Sequence, residues 1–530
     1  MLQIPSWDLI KKYDRPGPRY TSYPTAPEWK DDFKAPQYLR HLARAEAAGG
    51  PLSIYVHLPF CREMCRFCGC NVIATHDRSR ADAYLDVLEK EVALVAAHLP
   101  TRRTVSQLHW GGGTPTFLDE KQLARCHAIL ARHFQFLPDA EQAIEIDPAI
   151  TTRSQIDLLE KEIALVAERL PRRRTVSQLH WGGGTPTFLD EKQLVRCHAA
   201  VARHFTFAPD AEKAIEIDPA ITRKAQIDVL AGLGFNRISM GVQDFEPLVQ
   251  ETVGRIQGER ETRELVEHAR LRGFHGVNLD LIYGLPYQTP QSWAHTLERI
   301  VSIRPDRMAV FGYAHVPWAK PHQRLLPVDQ LPDTALRVRL FLMAAEAFGK
   351  AGYRQIGLDH FALESDELAR AQDGGWLYRN FQGYTVRPAD DTVAFGMTSI
   401  SDVGGAYAQN AHKLKDWGDH VLAGRLPVER GTSMTEDDLL RRFAINRVMC
   451  LFRLDLREIE RTFGAAARRA LQPSAAQLAE LQEDGLVTFD GDLLQVTPLG
   501  QLLVRNVAML FDAYLPKHAK DKQPTFSRTV

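Results

Sequence analysis

A tandem repeat constrains the fold of this chain more than any other feature of its sequence. Residues 85–155 recur as residues 156–226, and about four positions in five are identical between the copies. Each copy reads as a helix, a strand that runs into the glycines of GGGTP, a second helix and a short strand. Solenoid arrays need about three repeats to bury a continuous core. The two copies therefore predict a duplication inside one domain.

The rest of the chain alternates predicted strands with predicted helices. Apolar runs predict strands at 53–60, 237–244, 277–286 and 307–317, with helical patterns between them. Strands that alternate with helices are typical of a parallel sheet. The pattern contains six βα units without the extra copy and eight with it, and both numbers are compatible with a barrel. If the barrel has six strands, one copy must be displaced, and the motifs do not decide which. Proximity along the chain to the cysteine loop favours the first copy for the glycine motif beside that loop.

Three regions of the chain differ in character. Residues 1–50 are predicted to form an N-terminal arm, residues 51–430 hold the strand–helix units, and residues 431–530 are mainly helical. The last region combines helices, a hairpin-like piece and a final helix over 498–515, which suggests a small winged-helix-like domain. It has no dense basic face, so we predict a packing role for it and no nucleic-acid binding.

Composition excludes several classes of protein. The formal net charge is −1, so no overall field attracts nucleic acid or an anionic membrane. No run of about 18 apolar residues is present, and we predict no membrane span. Seven cysteines, four of them within residues 61–70, are no disulfide framework and indicate a reducing cytoplasm. We predict that Cys126, Cys197 and Cys450 are buried in the core.

Three cysteines in one short loop carry the strongest chemical signal. Cys61, Cys65 and Cys68 have the spacing C-x3-C-x2-C, and three thiolates leave one iron of a 4Fe–4S cluster open to a small molecule. A structural zinc site closes all four positions, usually with two distant cysteine pairs. Cys70 would complete a set of four, but one intervening residue is tight for two ligands of one cluster. We predict an open-site cluster, with zinc as the alternative.

Polar side chains follow the strands predicted after this loop. The glycines of GGGTP, at 111–115 and again at 182–186, let the backbone approach a ligand because no Cβ intervenes. Ligands of parallel sheets bind at the C-terminal ends of the strands. We therefore predict one pocket ringed by polar residues from several strand ends. The candidates are Glu145, Asp147, Glu216, Asp218, Gln243, Arg255 and Asp280.

Several long phrases, in order along the chain, resemble one known family. The cysteine loop CREMCRFCGC and the glycine motif are similar to those of radical S-adenosylmethionine (SAM) enzymes. The phrases KYDRPGPRYTSYPTA, LHWGGGTPTF, GFNRISMGVQDF, NLDLIYGLP, NFQGYT and RNVAMLFDAYL resemble the oxygen-independent coproporphyrinogen III oxidase family. The resemblance covers nearly the whole chain apart from the extra copy. It implies a partial (β/α)6-type barrel with a duplicated βαβα segment, an N-terminal arm and a C-terminal domain.

The resemblance also implies cofactors and residue roles. One 4Fe–4S cluster per chain would be held by Cys61, Cys65 and Cys68, together with two SAM molecules. The cluster-bound SAM would contact Tyr55, Gly112 or Gly183, Glu145 or Glu216, Ala314 and Ile400. The second SAM would contact Phe67, Gly113 and Thr114 or Gly184 and Thr185, Gln243, Arg255 and Asp280. Tyr55 and Cys70 would act at the active site, Cys70 without binding the cluster.

The implied reaction is the oxidative decarboxylation of two propionates of coproporphyrinogen III to vinyl groups, through a 5′-deoxyadenosyl radical. An unidentified reductant and electron acceptor would serve it, and the chain is expected to be a monomer. A related heme chaperone branch generally lacks the arm and the fourth cysteine, and both are present here. An inactive duplicated iron–sulfur protein is the other alternative. Arg19 of the arm has two interpretations: an ordinary loop arginine, or a residue that binds a propionate carboxylate of the substrate. The sequence favours the first.

Overall fold

Strands and helices alternate along most of this chain. The structure is a computed structural model. It describes residues 3, 5–61, 71–113, 115–146, 175–183, 186–315, 317, 321–380, 383–386, 391–471, 474–518, 526, 528 and 529. The strands in chain order are β1 (Leu52–Leu58), β2 (Phe60–Cys61), β3 (Ile73–Ala74), β4 (Thr104–Gly112), β5 (Gln135–Ile146), β6 (Thr175–Gly183), β7 (Thr206–Ile217), β8 (Arg237–Gln243), β9 (Gly276–Tyr283), β10 (Arg307–Gly312), β11 (Arg354–Gln355), β12 (His360–Ala362), β13 (Tyr378–Asn380), β14 (Gly383–Thr385), β15 (Thr392–Phe395), β16 (Ile400–Val403), β17 (Ala406–Asn410), β18 (Val428–Ser433), β19 (Arg453–Asp455), β20 (Val487–Phe489) and β21 (Leu493–Val496).

The helices connect these strands and cover the sheet. The described α-helices are Trp7–Tyr13, Ala35–Ala48, Ser79–Ala97, Glu120–Ala131, Glu191–Ala202, Lys224–Gly232, Pro247–Val253, Glu259–Leu271, Pro290–Ile303, Thr334–Lys350, Glu367–Gly374, Leu414–Leu422, Glu436–Leu451, Leu456–Phe463, Ala465–Ala470, Ala475–Glu483, Val504–Ala508 and Leu515–His518. Short 3-10 helices lie at Ala26–Glu28, Pro115–Phe117, Pro186–Phe188, Pro321–Leu325, Val328–Gln330, Gly500–Leu503 and Met509–Phe511. Within the described ranges, no helix is long and apolar enough to cross a membrane.

One large sheet organises the barrel region. Its described strands run in the order β11-β12-β10-β9-β8-β7-β6-β5-β4-β1-β15-β16-β17-β18. Every pairing from β1 across to β10 is parallel, so the carboxyl ends of these strands share one edge. The strands predicted at 53–60, 237–244, 277–286 and 307–317 are confirmed, and so is the α/β class.

Both copies of the repeat lie inside this sheet. The first copy contributes β4 and β5, and the second contributes β6 and β7, which insert between β5 and β8. Of the two strand numbers that the sequence leaves open, the described residues show eight, and neither copy is displaced from the sheet. The parallel ladder has eight strands in the described residues, because β5 of the first copy pairs with β6 of the second and β7 then pairs with β8.

The copies fold alike locally because their sequences carry the same end signals. In the first copy, Asp119 accepts a hydrogen bond from the Gln122 amide, and the Gln122 side chain accepts one from the Asp119 amide. Asp190 and Gln193 repeat this capping box in the second copy, with 2.8 Å for each bond. Each box starts the helix that leads from the glycine motif to the next strand.

The seam between the copies is thin. Within the described residues, β5 pairs with β6 at Glu145–Gly182 and Ile146–Gly183, whereas β4 with β5 and β6 with β7 pair over longer stretches. The described buried side chains also divide at this seam. Cys126 of the first copy belongs to an apolar cluster around β1 and β4, and Cys197 of the second belongs to a cluster around β8 and β9. Among the described side chains, the two copies therefore belong to separate apolar clusters.

The N-terminal arm packs on the C-terminal region. Tyr13, Tyr20 and Tyr23 of the arm belong to the same buried cluster as the helix Glu436–Leu451. The Tyr20 hydroxyl donates to Asp512 at 2.9 Å, and the Ala513 amide donates to the Tyr23 hydroxyl at 3.0 Å. A buried hydroxyl–carboxylate bond of this kind fixes the arm against a distant part of the chain.

The C-terminal region has the predicted helices and hairpin, with one correction. β19, β21 and β20 form a small antiparallel sheet beside three helices, and all three cysteines predicted in the core are buried. The helix predicted over 498–515 is wrong. The segment instead forms a 3-10 helix, the short helix Val504–Ala508 and a second 3-10 helix. The Arg505 and Asn506 side chains within it donate to backbone carbonyls of the arm.

A buried carboxylate ties the helix Ser79–Ala97 to the sheet. Glu91 is 1% exposed and accepts hydrogen bonds from the Gly396 amide at 2.9 Å, the Trp417 indole at 3.0 Å and the Asn410 amide group. Burial raises the pKa of Glu91 to about 7, although these three donors act in the opposite direction.

This pKa predicts a pH-dependent stability. The folded chain holds the Glu91 proton between pH 4.5 and 7, where the unfolded chain has lost it. The free energy of unfolding should therefore fall by on the order of 3 kcal/mol as pH rises through this window. Glu91→Gln should remove this part of the pH dependence in urea unfolding at pH 5 and 8, and the exposed Glu298→Gln should keep it. Equal slopes for wild type and Glu91→Gln would contradict the assignment.

The thin seam predicts that the chain folds without the second copy. Deleting residues 156–226 leaves β5 free to pair with β8, since the AIEI sequence that β7 offers to β8 is also present in β5. We expect the shortened chain to unfold cooperatively at a midpoint equal to or above that of the full chain, measured by circular dichroism. Deleting residues 85–155 instead should give the same result. Aggregation or a lower midpoint in both deletions would show that the eight-stranded ladder is required.

Candidate active site

The first-copy glycines lie against the start of the cysteine loop. β4 pairs with β1 in a register that places Gly111 opposite His57 and Gly112 opposite Leu58. The Gly113 amide then donates to the Leu58 carbonyl at 2.8 Å. Of the two GGGTP motifs, the one in the first copy is therefore next to the residues that lead into Cys61.

This approach is closer than any side chain allows. A Cβ on Gly113 would lie 2.7 Å from the Phe60 carbonyl oxygen, and one on Gly112 would lie 2.5 Å from the His57 ring. Gly112 also has φ of 109°, which L-residues with a side chain rarely adopt. Both positions need glycine, because the two backbones meet where the cysteine loop begins.

Both ends of the cysteine loop are held at one place. β2 pairs with β3 in parallel, the Ile73 amide donates to the Pro59 carbonyl at 2.7 Å, and the Thr75 amide donates to the Cys61 carbonyl at 2.9 Å. The loop therefore leaves the sheet and returns within a few ångströms. The predicted residues Cys65, Phe67, Cys68, Cys70, Thr114, Gly184 and Thr185 lie outside the described residues.

Tyr55 faces the same side of β1 as His57, as the alternation of a strand requires. Its ring stacks on His109 of β4, with 5.8 Å between the ring centres and 17° between the planes. Its hydroxyl lies 3.1 Å from His57 Nδ1, and His57 Nε2 lies 2.9 Å from the Asn71 carbonyl oxygen. His57 thus connects Tyr55 to the residue that follows the cysteine loop. The sequence prediction omitted His57, although its place two residues after Tyr55 was a usable signal.

A second polar group lies at the ends of β8 and β9. Gly241 is opposite Asp280 in the strand register, and a Cβ on Gly241 would lie 2.6 Å from the Gln243 side-chain nitrogen and 3.2 Å from an Arg255 guanidinium nitrogen. Gln243 has φ of 66°, so the strand ends in a sharp change of direction there. Three of the predicted residues, Gln243, Arg255 and Asp280, are therefore neighbours.

This second group contains polar atoms without a partner. Within the described residues, the buried Arg255 Nε and Asn278 Oδ1 have no hydrogen-bond partner. Burial raises the pKa of Asp280, while the Asn278 hydrogen bond and the charges of His360 and Arg255 lower it and Glu216 raises it. Unsatisfied buried donors and acceptors are costly, so they fit a polar ligand such as the adenosyl and methionyl groups of SAM.

The two copies divide the predicted carboxylates between the groups. Glu145 is on β5, beside the first-copy strand β4, whereas Glu216 is on β7, opposite Ser239 of β8 and within electrostatic reach of Asp280. Gly183 ends β6, opposite Ile146. Neighbouring strands are about 4.8 Å apart, so β6 and β7 add about 10 Å between β5 and β8.

The two remaining candidates lie at the ends of the ladder. Ile400 begins β16, which is two strands from β1 in the sheet order. Ala314 follows β10 at the other end, and its carbonyl accepts a hydrogen bond from the Gln323 side chain at 3.1 Å. Strand pairing alone brings neither of them next to Gly112.

Comparisons with known proteins agree with this architecture. Residues 55–162 and 148–300 each match the Radical SAM superfamily, a double match that follows the tandem repeat, and residues 434–503 match the HemN C-terminal domain. The chain is 37% identical to an oxygen-independent coproporphyrinogen III oxidase of Pseudomonas aeruginosa, over 100% of both chains. It is 40% identical to that of Escherichia coli, over 99% of this chain and 98% of the relative.

A solved structure extends the similarity to three dimensions. The structure described as coproporphyrinogen III oxidase (HemN) from Escherichia coli, a radical SAM enzyme, has a TM-score of 0.66 to this chain at 37% identity. The match covers 97% of this chain and 99% of the other. A radical SAM architecture implies a 4Fe–4S cluster and SAM, and the glycine approach and the unpartnered polar atoms described above fit such ligands.

The glycine geometry predicts which copy serves SAM. Gly113→Ala should reduce SAM cleavage at least about tenfold, because the added Cβ forces the Phe60 carbonyl and the cysteine loop to move. Gly184→Ala is the matched change in the second copy, and we expect a smaller loss. The assay is 5′-deoxyadenosine release by anaerobically reconstituted protein with a strong reductant. An equal or larger loss in Gly184→Ala would assign the cofactor to the second copy.

Proposed function

Because the chain belongs to the oxygen-independent coproporphyrinogen III oxidase family of radical SAM proteins, we propose that it converts two propionate side chains of coproporphyrinogen III to vinyl groups. The product is protoporphyrinogen IX, a step of heme biosynthesis. In each conversion the β-carbon loses a hydrogen atom, the carboxylate leaves as CO2, and one further electron passes to a one-electron acceptor. Similarity to coproporphyrinogen III oxidases over the full length of the chain is the observation that carries this proposal.

The cofactor set follows from the family. Cys61, Cys65 and Cys68 would hold one 4Fe–4S cluster per chain. When bound, the cluster and SAM supply a carbon-centred radical that removes a hydrogen atom from an unactivated carbon. The cluster-bound SAM would contact Tyr55, Gly112 or Gly183, Glu145 or Glu216, Ala314 and Ile400. The second SAM would contact Phe67 and the next Gly-Thr pair, which is Gly113 and Thr114 or Gly184 and Thr185.

The second SAM has the stronger structural support. Arg255 brings a buried guanidinium nitrogen without a described partner to the side of Gln243 and Asp280. A guanidinium binds a carboxylate in a fixed geometry, so it suits the methionyl carboxylate. Asp280 offers a carboxylate acceptor for ribose hydroxyls or the methionyl amine. Cys70 would stay close to the reacting carbon without binding the cluster.

The arm and the C-terminal region would exclude water from the reaction. Tyr20 and Tyr23 anchor the arm to the C-terminal region, and Arg19 of the arm lies within electrostatic reach of Tyr283 at the end of β9. Exclusion of water matters because a radical reacts with whatever is near it. The docked arm and Cys70 support an oxidase over a heme chaperone. We also infer a cytoplasmic location, because thiolate ligands of iron need a reducing compartment. We further propose that the protein is a monomer and takes electrons from a separate reductant.

Anaerobic reconstitution tests the proposal. We expect about four irons and four sulfides per chain, SAM cleavage, and protoporphyrinogen IX from coproporphyrinogen III. Replacing Cys61, Cys65 or Cys68 by Ala should abolish the cluster absorbance, whereas Cys70→Ala should keep it and lower turnover. Tightly bound zinc, or a cluster that needs Cys70, would contradict the open iron. Heme binding without conversion of coproporphyrinogen III would indicate the chaperone instead, and neither activity would indicate an inactive duplicated protein.

A further inference from the structure

Four arginine side chains from distant parts of the chain meet beside the second polar group. Arg19 comes from the arm, Arg337 from the helix Thr334–Lys350, Arg379 from β13 and Arg505 from the helix Val504–Ala508. Backbone contacts hold them together, because the Arg379 guanidinium donates to the Arg19 carbonyl at 2.6 Å. Arg505 donates to the carbonyls of Pro18, at 3.0 Å, and Gly17, directly before Arg19.

Arg379 is buried without a full set of partners. It is 9% exposed, and within the described residues its Nε has no hydrogen-bond partner. Its guanidinium carbon lies 5.5 Å from the centre of the Tyr384 ring, an arrangement that stabilises the charge by a cation–π contact. A guanidinium kept charged in such a place normally has an anion beside it.

Arg337 is held in the same way by neutral groups. It donates to the Tyr313 carbonyl at 2.7 Å, and its guanidinium carbon lies 5.8 Å from the centre of the Tyr283 ring. Gly284 gives it room, since a Cβ there would lie 2.5 Å from a guanidinium nitrogen. None of Arg19, Arg337 and Arg379 forms an ion pair with a carboxylate of the described residues.

The four charges are close enough to influence one another. Burial, together with the charges of Arg19 and Arg379, lowers the pKa of Arg505 to about 10. Burial also lowers the pKa of Arg337, with Arg19 acting in the same direction. This much positive charge in a half-buried place is unfavourable by itself, because like charges repel strongly where water is scarce.

The carboxylate of Asp359 balances part of the positive charge of these arginines. Burial opposes its ionisation, yet the His360 hydrogen bond at 2.8 Å and the charges of Arg379 and Arg19 lower its pKa. His360 also lowers the pKa of Asp280, so the arginines adjoin the proposed SAM residues. The rings of Phe311 and Tyr384 pack edge-on against His360, which gives the same place an apolar wall.

We propose that Arg19, Arg337 and Arg379 bind propionate carboxylates of the tetrapyrrole substrate, while Arg505 holds the arm so that Arg19 reaches them. This inference rests on the proposed function and identifies its substrate subsite. Coproporphyrinogen III carries four carboxylates around an apolar macrocycle. The site offers guanidinium groups next to aromatic rings, and within the described residues these groups bond backbone carbonyls and no carboxylate. Guanidinium forks bind carboxylates bidentately, which fixes the orientation of the ring against the SAM residues.

A binding titration tests this without requiring turnover. Coproporphyrin III, the stable oxidised form with four propionates, and mesoporphyrin IX, with two, are titrated anaerobically into the full chain and followed by absorbance. We expect wild type to prefer coproporphyrin III, and Arg337→Gln or Arg19→Gln to weaken its binding by about tenfold or more, from loss of a charge-assisted hydrogen bond. Arg337→Lys should recover only part of the affinity, because a lysine binds a carboxylate less specifically.

Controls separate the outcomes. Arg370→Gln, an exposed change away from this cluster, should leave the Kd at the wild-type value. Arg379→Gln is the buried variant and is expected to weaken binding most; if it does not fold, the other two variants still decide. An unchanged Kd for coproporphyrin III in both Arg19→Gln and Arg337→Gln, or equal affinity of wild type for the two porphyrins, overturns the inference. Failure of the proposed function instead appears as wild-type protein that binds coproporphyrin III but does not convert coproporphyrinogen III.

Discussion

The parallel hydrogen-bond ladder from β1 to β10 is the constraint on which the candidate site depends. Because all eight strands run the same way, the glycine approach after β4, Gln243 after β8 and Asp280 on β9 reach one edge of the sheet. No local sequence preference brings these residues together; strand direction and register do. The arginines from the arm and the C-terminal region become relevant only because that edge lies beneath them.

The duplication changes this edge without breaking the ladder. The copies have nearly the same sequence, yet the first packs against β1 and the cysteine loop and the second against β8. Each copy packs against the strands next to it in the sheet, so equivalent residues such as Leu123 and Leu194 belong to different apolar clusters. The duplication increases the distance between the residues proposed for the two SAM molecules, because two more strands lie between them than in a ladder of six.

Much of this arrangement was accessible from the sequence. Alternating strands and helices predicted the parallel sheet, and Gln243, Arg255 and Asp280 were correctly expected to be neighbours. The number of strands in the ladder was not accessible, because β4 and β6 have the same sequence, β5 and β7 have nearly the same one, and the helix caps repeat, so only tertiary pairing decides. The contacts of Arg505 and Asn506 with the arm, nearly 500 residues earlier, were also hidden.

The arginine cluster was equally invisible, for the same physical reason. Arg19, Arg337 and Arg379 are each unremarkable in their own segments, and the sequence favoured an ordinary loop role for Arg19. Their proposed role depends on a half-buried, low-dielectric setting in which the described carboxylates balance only part of their positive charge. Sequence patterns report neighbours along the chain, whereas this setting is made by four segments that converge only in the folded protein.

The hydrogen bonds between the two ends of the chain affect the order in which the protein folds during synthesis. The arm leaves the ribosome first, but Arg505, Asp512 and Thr529, which hold Tyr13, Gly17 and Tyr20, leave it last. Docking of the arm is therefore a late step of folding, because it waits until residues 505–529 have been synthesised. Until then, the buried cluster that Tyr13, Tyr20 and Tyr23 share with the helix Glu436–Leu451 is incomplete.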